Sequence, residues 1–488
     1  MCHKCETKCS PKHAKQCVEK KVIRCLPYLI TKPGYYCLGK DFTWSDASQS
    51  AITVTADNVV LDFNQRKITT DVASVFPFVK VEDSVDVVLK NVHLEAVDTG
   101  KYLRGGISIQ NCKNVVVDSP VLLNLDGQFA SLTNNALACV STEGLEVFNL
   151  YLKNDNDSVR TNGINFDDVK SLIFRDSKVY NVRTLCQNSQ NTDFLRLHID
   201  NNGSSASIRG LQIDTNLDSP FFNIPAENVR VAECNIKVKN TGLGIFIASF
   251  PSGLDSNLYI RNVVIENNII IGATYQYAII VFIAVNGGII RGNSFDLING
   301  GNANSSSGGM ILDSSIGLTV SQNNFYIKSN VKNTFCVGIL VEGSSSSLNG
   351  ATNLISENNI IKTGEPIATY DTGISFWDSS ATGIVIYNTV ERNNISGFQY
   401  GIIDDFSRIN SVPDIYARCT IFSNNFSNGN GQNYSYDTSD PVNSIFLDNN
   451  VDGCVNPDLV PPPPEALVAG LSTSEAKKMR RELFTELE

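Results

Sequence analysis

The stretch VVIENNIII, Val263 to Ile271, carries a pattern that returns along much of the chain. An apolar residue is followed by two free positions, an Asn-Asn pair and a second apolar residue. VSQNNF (Val320 to Phe325), ISENNI (Ile355 to Ile360) and VERNNI (Val390 to Ile395) repeat it, as do IFSNNF (Ile421 to Phe426) and FLDNNV (Phe446 to Val451). The unit reads as a short apolar strand running into a tight bend. Asn enters the left-handed backbone conformation there at low cost while bonding its own backbone. One such unit cannot bury its apolar side alone. A stack can, and Asn at matching positions is expected to form a hydrogen-bonded ladder between neighbours.

A looser form of the template ends at Phe63, Val92, Val121, Leu150 and Val179, 29 residues apart each time. It continues through Ile213, Ile236, Ile269, Phe295, Phe325, Ile360, Ile395, Phe426 and Val451 at intervals of 23 to 35, giving fourteen units. A second marker is Gly before an apolar alternation: GGISI (Gly105 to Ile109), NGINF (Asn162 to Phe166), LGIFI (Leu243 to Ile247), GGMIL (Gly308 to Leu312), VGILV (Val337 to Val341) and TGISF (Thr372 to Phe376). Each unit therefore holds two or three short strands with bends between them. Strand-built repeats of this period predict a solenoid.

The opening ITKPGYYCLGKDFTWSDASQSAITVTADNVVLDFNQRKI, Ile30 to Ile68, resembles the first coil of the right-handed parallel β-helix of the pectate-lyase-like superfamily. The later Asn-rich repeats resemble those of its carbohydrate-binding and sugar-hydrolase members. The resemblance covers roughly residues 22 to 455. It implies an all-β fold, one right-handed parallel β-helix of about fourteen coils. At a strand spacing of about 4.8 Å the rod would be roughly 65 Å long. The superfamily includes lyases, hydrolases, epimerases and phage tailspikes, so the resemblance implies a fold without choosing an activity.

Composition agrees with a rod clothed in turns. Of 488 residues only 18% are charged, and the formal net charge is −11, which argues against a nucleic-acid partner held in a basic groove. No run approaches eighteen apolar residues, so no membrane-spanning helix is expected. The N-terminus lacks an apolar targeting core, which favours virion or cytoplasmic assembly over classical secretion.

The expected division is a Cys-rich N-terminal cap (1–45), the β-helix (46–455), a Pro-rich linker (456–471) and an amphipathic helix (472–488). Six of the thirteen cysteines fall within the first 37 residues, which also carry seven lysines. Cys2, Cys5, Cys9, His13 and Cys17 could supply the ligands of a tetrahedral zinc. Disulfides or free thiols are the alternatives. The later cysteines read as small buried apolar residues. In the terminal segment, Ser472 with Glu475 makes a capping box, and Ala476, Met479, Leu483 and Leu487 form an apolar stripe. That helix would cap the last coil, dock a partner or join copies of the chain. The tailspike resemblance implies a trimer for the last case.

Active members of the superfamily resemble one another in short acidic motifs that this chain lacks as a set. Asn191-Thr192-Asp193 matches the first hydrolase motif, but no suitable Asp-Asp pair and no Gly-His-Gly follow it, so these residues read as a turn. Acids recur instead after the Gly-apolar strand: Asp313, Glu342, Asp378 and Asp404-Asp405, with Asp167-Asp168 earlier in the chain. Stacked coils would bring such acids into a column, where like charges repel and raise one another's pKa. Asp313, Glu342, Asp378 and Asp404 could hold calcium. Asp378, Asp404 and Asp405 are the candidate catalytic carboxylates, and Trp377, Tyr370 and Tyr400 the candidate sugar-stacking rings. The bland alternative is that these acids begin solvated loops. Two functions follow: a non-enzymatic structural or binding rod, which the missing motifs favour, or a polysaccharide lyase or glycoside hydrolase.

Overall fold

A computed structural model describes residues 19–72, 74, 76–97, 105–125, 135–155, 162–201, 209–215, 225–238, 243–249, 259–274, 278–299, 306–329, 335–343, 350–364, 370–378, 385–386, 388–403, 417–418, 420–423, 425–428, 432–435, 444–447 and 450–451. Among them are forty-seven strands and no helix. The strands form two sheets of 32 and 15 members, and neighbouring coils pair in parallel. Successive parallel crossovers wind right-handed. The chain is a right-handed parallel β-helix.

One coil shows the plan. Ile107–Gln110 and Lys113–Asp118 are its first and second strands and join the larger sheet, while Val121–Leu123 is its third and joins the smaller. The stack already begins at Lys20–Ile23, paired with Gly34–Leu38, inside the segment expected to be a cap. The smaller sheet holds one strand more than the fourteen units counted. The strand Phe42–Thr43, paired with Ile68 and Thr69, belongs to no template unit. Residues 1–18 and the expected linker and C-terminal helix lie outside the described residues.

The bends are where the backbone turns left-handed, and they too stack. One column opens the second strand: Asn58, Asp86, Asn114, Gly144, Ser171, Asn191, Asn228, Asn262, Gly287, Gly317 and Thr352 all have φ between 53° and 73°. Asn191 to Asp193, read as a turn, lie instead within the strand Gln190–Leu195, with only Asn191 in the turn conformation. Another column separates the second and third strands and passes through Asn267, Gly292, Gln322, Glu357 and Arg392.

The residue after each member of that last column points inward and builds the ladder. Asn268, Asn293, Asn323, Asn358 and Asn393 each receive the preceding coil's backbone N–H and pass their own to the next, ending at Asn425. Each amide Nδ2 also donates to a backbone carbonyl such as Val320 O and to the next Asn Oδ1. The expected ladder exists, but the left-handed position is a different residue. Among the five named coils it is Asn only at Asn267.

This corrects the sequence frame. The ladder residue is the second Asn of the pair at 267–268 and the first at 323–324, 358–359 and 393–394. The buried closing residue is therefore Ile270, fully buried and paired with Phe295, not Ile269, which is 49% exposed. The even 29-residue spacing likewise mixes positions. Val121 pairs with Tyr151 on the outward side of the third strand, whereas Val179 pairs with inward Leu152. Inside, Phe166, Phe174 and Phe194 pack edge to face, and Phe295 stacks on Phe325 with centroids 4.5 Å apart. The described cysteines carry no disulfide, and all but Cys25 are buried, as expected of small apolar residues.

Candidate functional site

The first strands of the coils present one face inward and one outward, since side chains alternate along a strand. In the middle coils both faces are buried. Leu211 and Ile213 enter the core, yet Gln212 and Asp214 on the opposite face are also buried. The same holds for Asn165 and Asp167, for Leu185 and Gln187, and for Phe246 and Ala248. Strand register makes these neighbours single file. Asp167 lies opposite Gln187, Gln187 opposite Asp214 and Asp214 opposite Ala248.

Burying carboxylates is costly unless they are hydrogen-bonded or paired, and here the partners are visible. Asn188 Nδ2 donates to Asp167 Oδ1 at 2.9 Å, and Gln187 Nε2 donates to Asp214 Oδ1 at 2.7 Å. Gln212 Nε2 donates to the other oxygen of Asp214 and accepts from Arg183 at 3.2 Å through its Oε1. Burial nevertheless pushes the Asp214 carboxyl above the usual carboxylate range, against the opposing effect of both amides and of Arg183 and Arg209. Burial also lowers the Arg183 guanidinium to about 10. Arg209 lies 3.9 Å over the ring of Phe246. The result is a desolvated floor of carboxyl, amide and guanidinium groups, a donor and acceptor set suited to hydroxyl-rich or carboxylate-bearing ligands.

A raised carboxyl pKa has a sign. Asp214 is easier to ionise in the unfolded chain, near its ordinary value of about 3.9, so it weakens folding as pH rises through the folded-state value. Asp214→Asn removes this pH dependence but sets an amide donor against Gln187 or Gln212 Nε2, so the variant is expected to be less stable than wild type at low pH. The wild type's margin should be full below about pH 4, where its carboxyl is protonated in both states, and should shrink as pH rises. Thermal melts across that range would check it. A margin independent of pH would refute the assignment.

Of the candidates read from sequence, Asp313, Glu342 and Trp377 occupy this column farther along, whereas Tyr370, Asp378 and Tyr400 sit at the alternate positions of their strands. Asp313 pairs in register with Glu342, so two acids do occupy adjacent coils. The next residue in that column is Trp377, while Asp378 lies one position on, opposite Gly343. Asp313 accepts from Ser314 Oγ at 2.8 Å, and burial followed by the Asp313 charge raises the phenol of Tyr259. Tyr370 and Trp377 lie at opposite ends of the strand Tyr370–Asp378, about 23 Å apart at seven strand residues. They cannot share one sugar ring. Tyr400 pairs with Thr372, and its hydroxyl accepts from Gln399 Nε2 at 3.4 Å. Asp404, Asp405 and the zinc candidates Cys2, Cys5, Cys9, His13 and Cys17 lie outside the described residues. Among the described residues no three His, Cys, Asp or Glu side chains come together as metal ligands. No described helix is long and apolar enough to cross a membrane.

Asp168, the partner of Asp167 in the sequence, sits in the corner with φ 52°, and burial raises its carboxyl. Asp214 escaped the sequence reading although its signal was present. Gly210-Leu-Gln-Ile-Asp places an acid four residues after the marker glycine, as Gly163 does for Asp167 and Gly309 for Asp313. Arg183 and Gln187 had no such signal, because their strand Arg183–Gln187 lacks the glycine and joins its neighbour through a bulge.

No family model and no curated protein matches the sequence. Among solved structures, the chain is similar to the A-module of the mannuronan C-5 epimerase AlgE6 of Azotobacter vinelandii, at 11% identity and TM-score 0.43, over 86% of this chain and 92% of that one. It is similar to the periplasmic alginate epimerase AlgG at 10% identity and TM-score 0.39, over 83% and 77%. It is also similar to a mutant tailspike protein of E. coli bacteriophage HK620 in complex with a hexasaccharide, at 13% identity and TM-score 0.41, over 85% and 70%.

Proposed function

We propose that this chain is a polysaccharide-binding rod, whose ligand lies over the polar floor that the first strands build. The observation that carries the reading is the single-file column Asp167–Gln187–Asp214, continued farther on by Asp313–Glu342–Trp377. It offers one hydrogen-bonding group per coil from Asp167 through Asp214, at a spacing of about 4.8 Å, and resumes at Asp313 after the apolar rungs Ala248 and Ile283. A rigid array of this kind needs little ordering to bind a repeating ligand. Self-association through the C-terminal helix would multiply such sites.

A second reading has its own support. The raised carboxyl of Asp214 is what a general acid needs, so a polysaccharide lyase or hydrolase centred on Asp214 is the alternative. One experiment separates them. Wild type and Asp214→Asn are incubated with neutral and acidic polysaccharides, with and without chelator, while binding and new chain ends are followed. The rod reading expects binding without new ends, weakened about tenfold or more by the substitution. New ends that vanish with Asp214→Asn would replace it by the enzymatic reading. Binding lost in chelator would favour calcium at Asp313 and Glu342. No binding to any glycan, or unchanged binding by the variant, would sink the proposed site.

A further inference from the structure

The outward face of the smaller sheet holds a feature that the column above does not use. Tyr151–Lys153, Lys178–Tyr180, His198–Asn201 and Asn235–Val238 are consecutive third strands. Leu152, Val179, Ile199 and Ile236 enter the core and leave two columns outside. One runs Tyr151, Lys178, His198, Asn235, and the other Lys153, Tyr180, Asp200, Lys237. The aromatic residues alternate between the columns and touch diagonally. Tyr151 and Tyr180 have centroids 5.6 Å apart at 50°, and Tyr180 and His198 have centroids 5.6 Å apart at 59°. Three rings thus form a ridge that climbs one coil per ring, with Tyr151 36% exposed.

Lysines flank the ridge in a chain whose net charge is −11. Lys178 is exposed between Tyr151 and His198, and Lys237 sits two rungs beyond Tyr180. Burial lowers the pKa of His198, and the charges of Lys237 and Lys178 lower it further against Asp200, so the imidazole is neutral at pH 7 and serves as a third ring. Lys153 is held by Asp155 at 2.5 Å. Cross-strand ring pairs stabilise sheets, but that role does not require lysines at the alternate positions.

We propose that this ridge is a binding surface for an acidic, uronate-bearing polysaccharide running along the coil axis. The electron-rich ring faces meet the C–H faces of successive sugars, and Lys178 and Lys237 make charge-assisted bonds to their carboxylates. The surface lies on a different sheet from the Asp214 column and stands or falls separately from it.

The test uses the full chain with polygalacturonate as acidic probe and dextran as neutral probe, read by affinity electrophoresis and by thermal melts. Tyr180→Ala and the double variant Lys178→Ala with Lys237→Ala are each expected to weaken polygalacturonate binding about tenfold. Tyr180→Phe should bind as wild type, and the lysine variant should lose salt dependence. Asp214→Asn isolates the other column. Its failure to bind, with Tyr180→Ala unaffected, would overturn the ridge and keep the column. Loss of binding by Tyr180→Phe as severe as by Tyr180→Ala would overturn the stacking role. Equal retention of dextran would overturn the acidic specificity, and absence of polygalacturonate binding by wild type would overturn the proposal outright.

Discussion

Replacing Asn358 with alanine is expected to destabilise the coils around it by about 4 kcal/mol. The side chain accepts from Asn323 N and Asn323 Nδ2 and donates to Val320 O and Asn393 Oδ1, all between 2.9 and 3.1 Å. Every one of these partners is buried in the apolar interior of the stack, where water cannot replace the lost bond. Truncation therefore takes this partner from Asn323 N, Asn323 Nδ2 and Val320 O on the preceding coil and from Asn393 Oδ1 on the following one, at about 1–3 kcal/mol for each group left unsatisfied. A long repeat array need not unfold in one step, so the informative readout is local. Hydrogen exchange at the amides of Asn323 and Asn358 should accelerate about a thousandfold, while the amides of Val59 and Val87, far along the stack, should be unchanged. Unaltered exchange at Asn323 would mean that the ladder contributes geometry without stability.

The same ladder explains how much of the fold the sequence displayed. An inward Asn that both accepts and donates along the axis recurs through the later coils, so it repeats as a letter and betrays the coil. Its neighbours carry no such demand. The left-handed residue before it is Asn267, Gly292, Gln322, Glu357 or Arg392, so a template anchored on Asn-Asn slips by one residue between coils. In earlier coils the equivalent position is Ser177 or Cys234, each still receiving the preceding coil's N–H. There the pattern fades although the geometry persists.

The candidate site was legible only where a glycine marked its register. Asp167 and Asp313 could be counted from Gly163 and Gly309, and so could Asp214 from Gly210. The same count from Gly373 reaches Trp377 and passes over Asp378, a distinction that the repeat alone did not draw. What no count could give is lateral company. Gln187 meets Asp214, and Arg183 meets Gln212, across coils of unequal length. Those contacts exist only once the strands are in register, so the polar floor is a property of stacking more than of any motif.

Gly309→Ala is expected to cost about 3 kcal/mol and to abolish whatever binding the outward column supports. A Cβ at Gly309 would lie 2.6 Å from Gly338 O in the next coil and 2.6 Å from Phe325 Cδ1. Neither neighbour can yield cheaply. Gly338 sits within a strand paired on both sides, and the Phe325 ring is stacked on Phe295. The methyl must push adjacent coils apart beside the Asp313–Glu342 pair, so stability and register fail together. Gly287→Ala separates crowding from backbone strain. Its Cβ would meet nothing nearer than Asn262 Oδ1 at 3.5 Å, but its φ of 73° disfavours any side chain. That substitution should cost only about 1 kcal/mol and leave glycan binding intact. If the two variants melt alike, the marker glycines serve chain conformation and not the close approach of coils. If Gly309→Ala melts lower yet binds as wild type, the register of the outward column is not what the ligand reads.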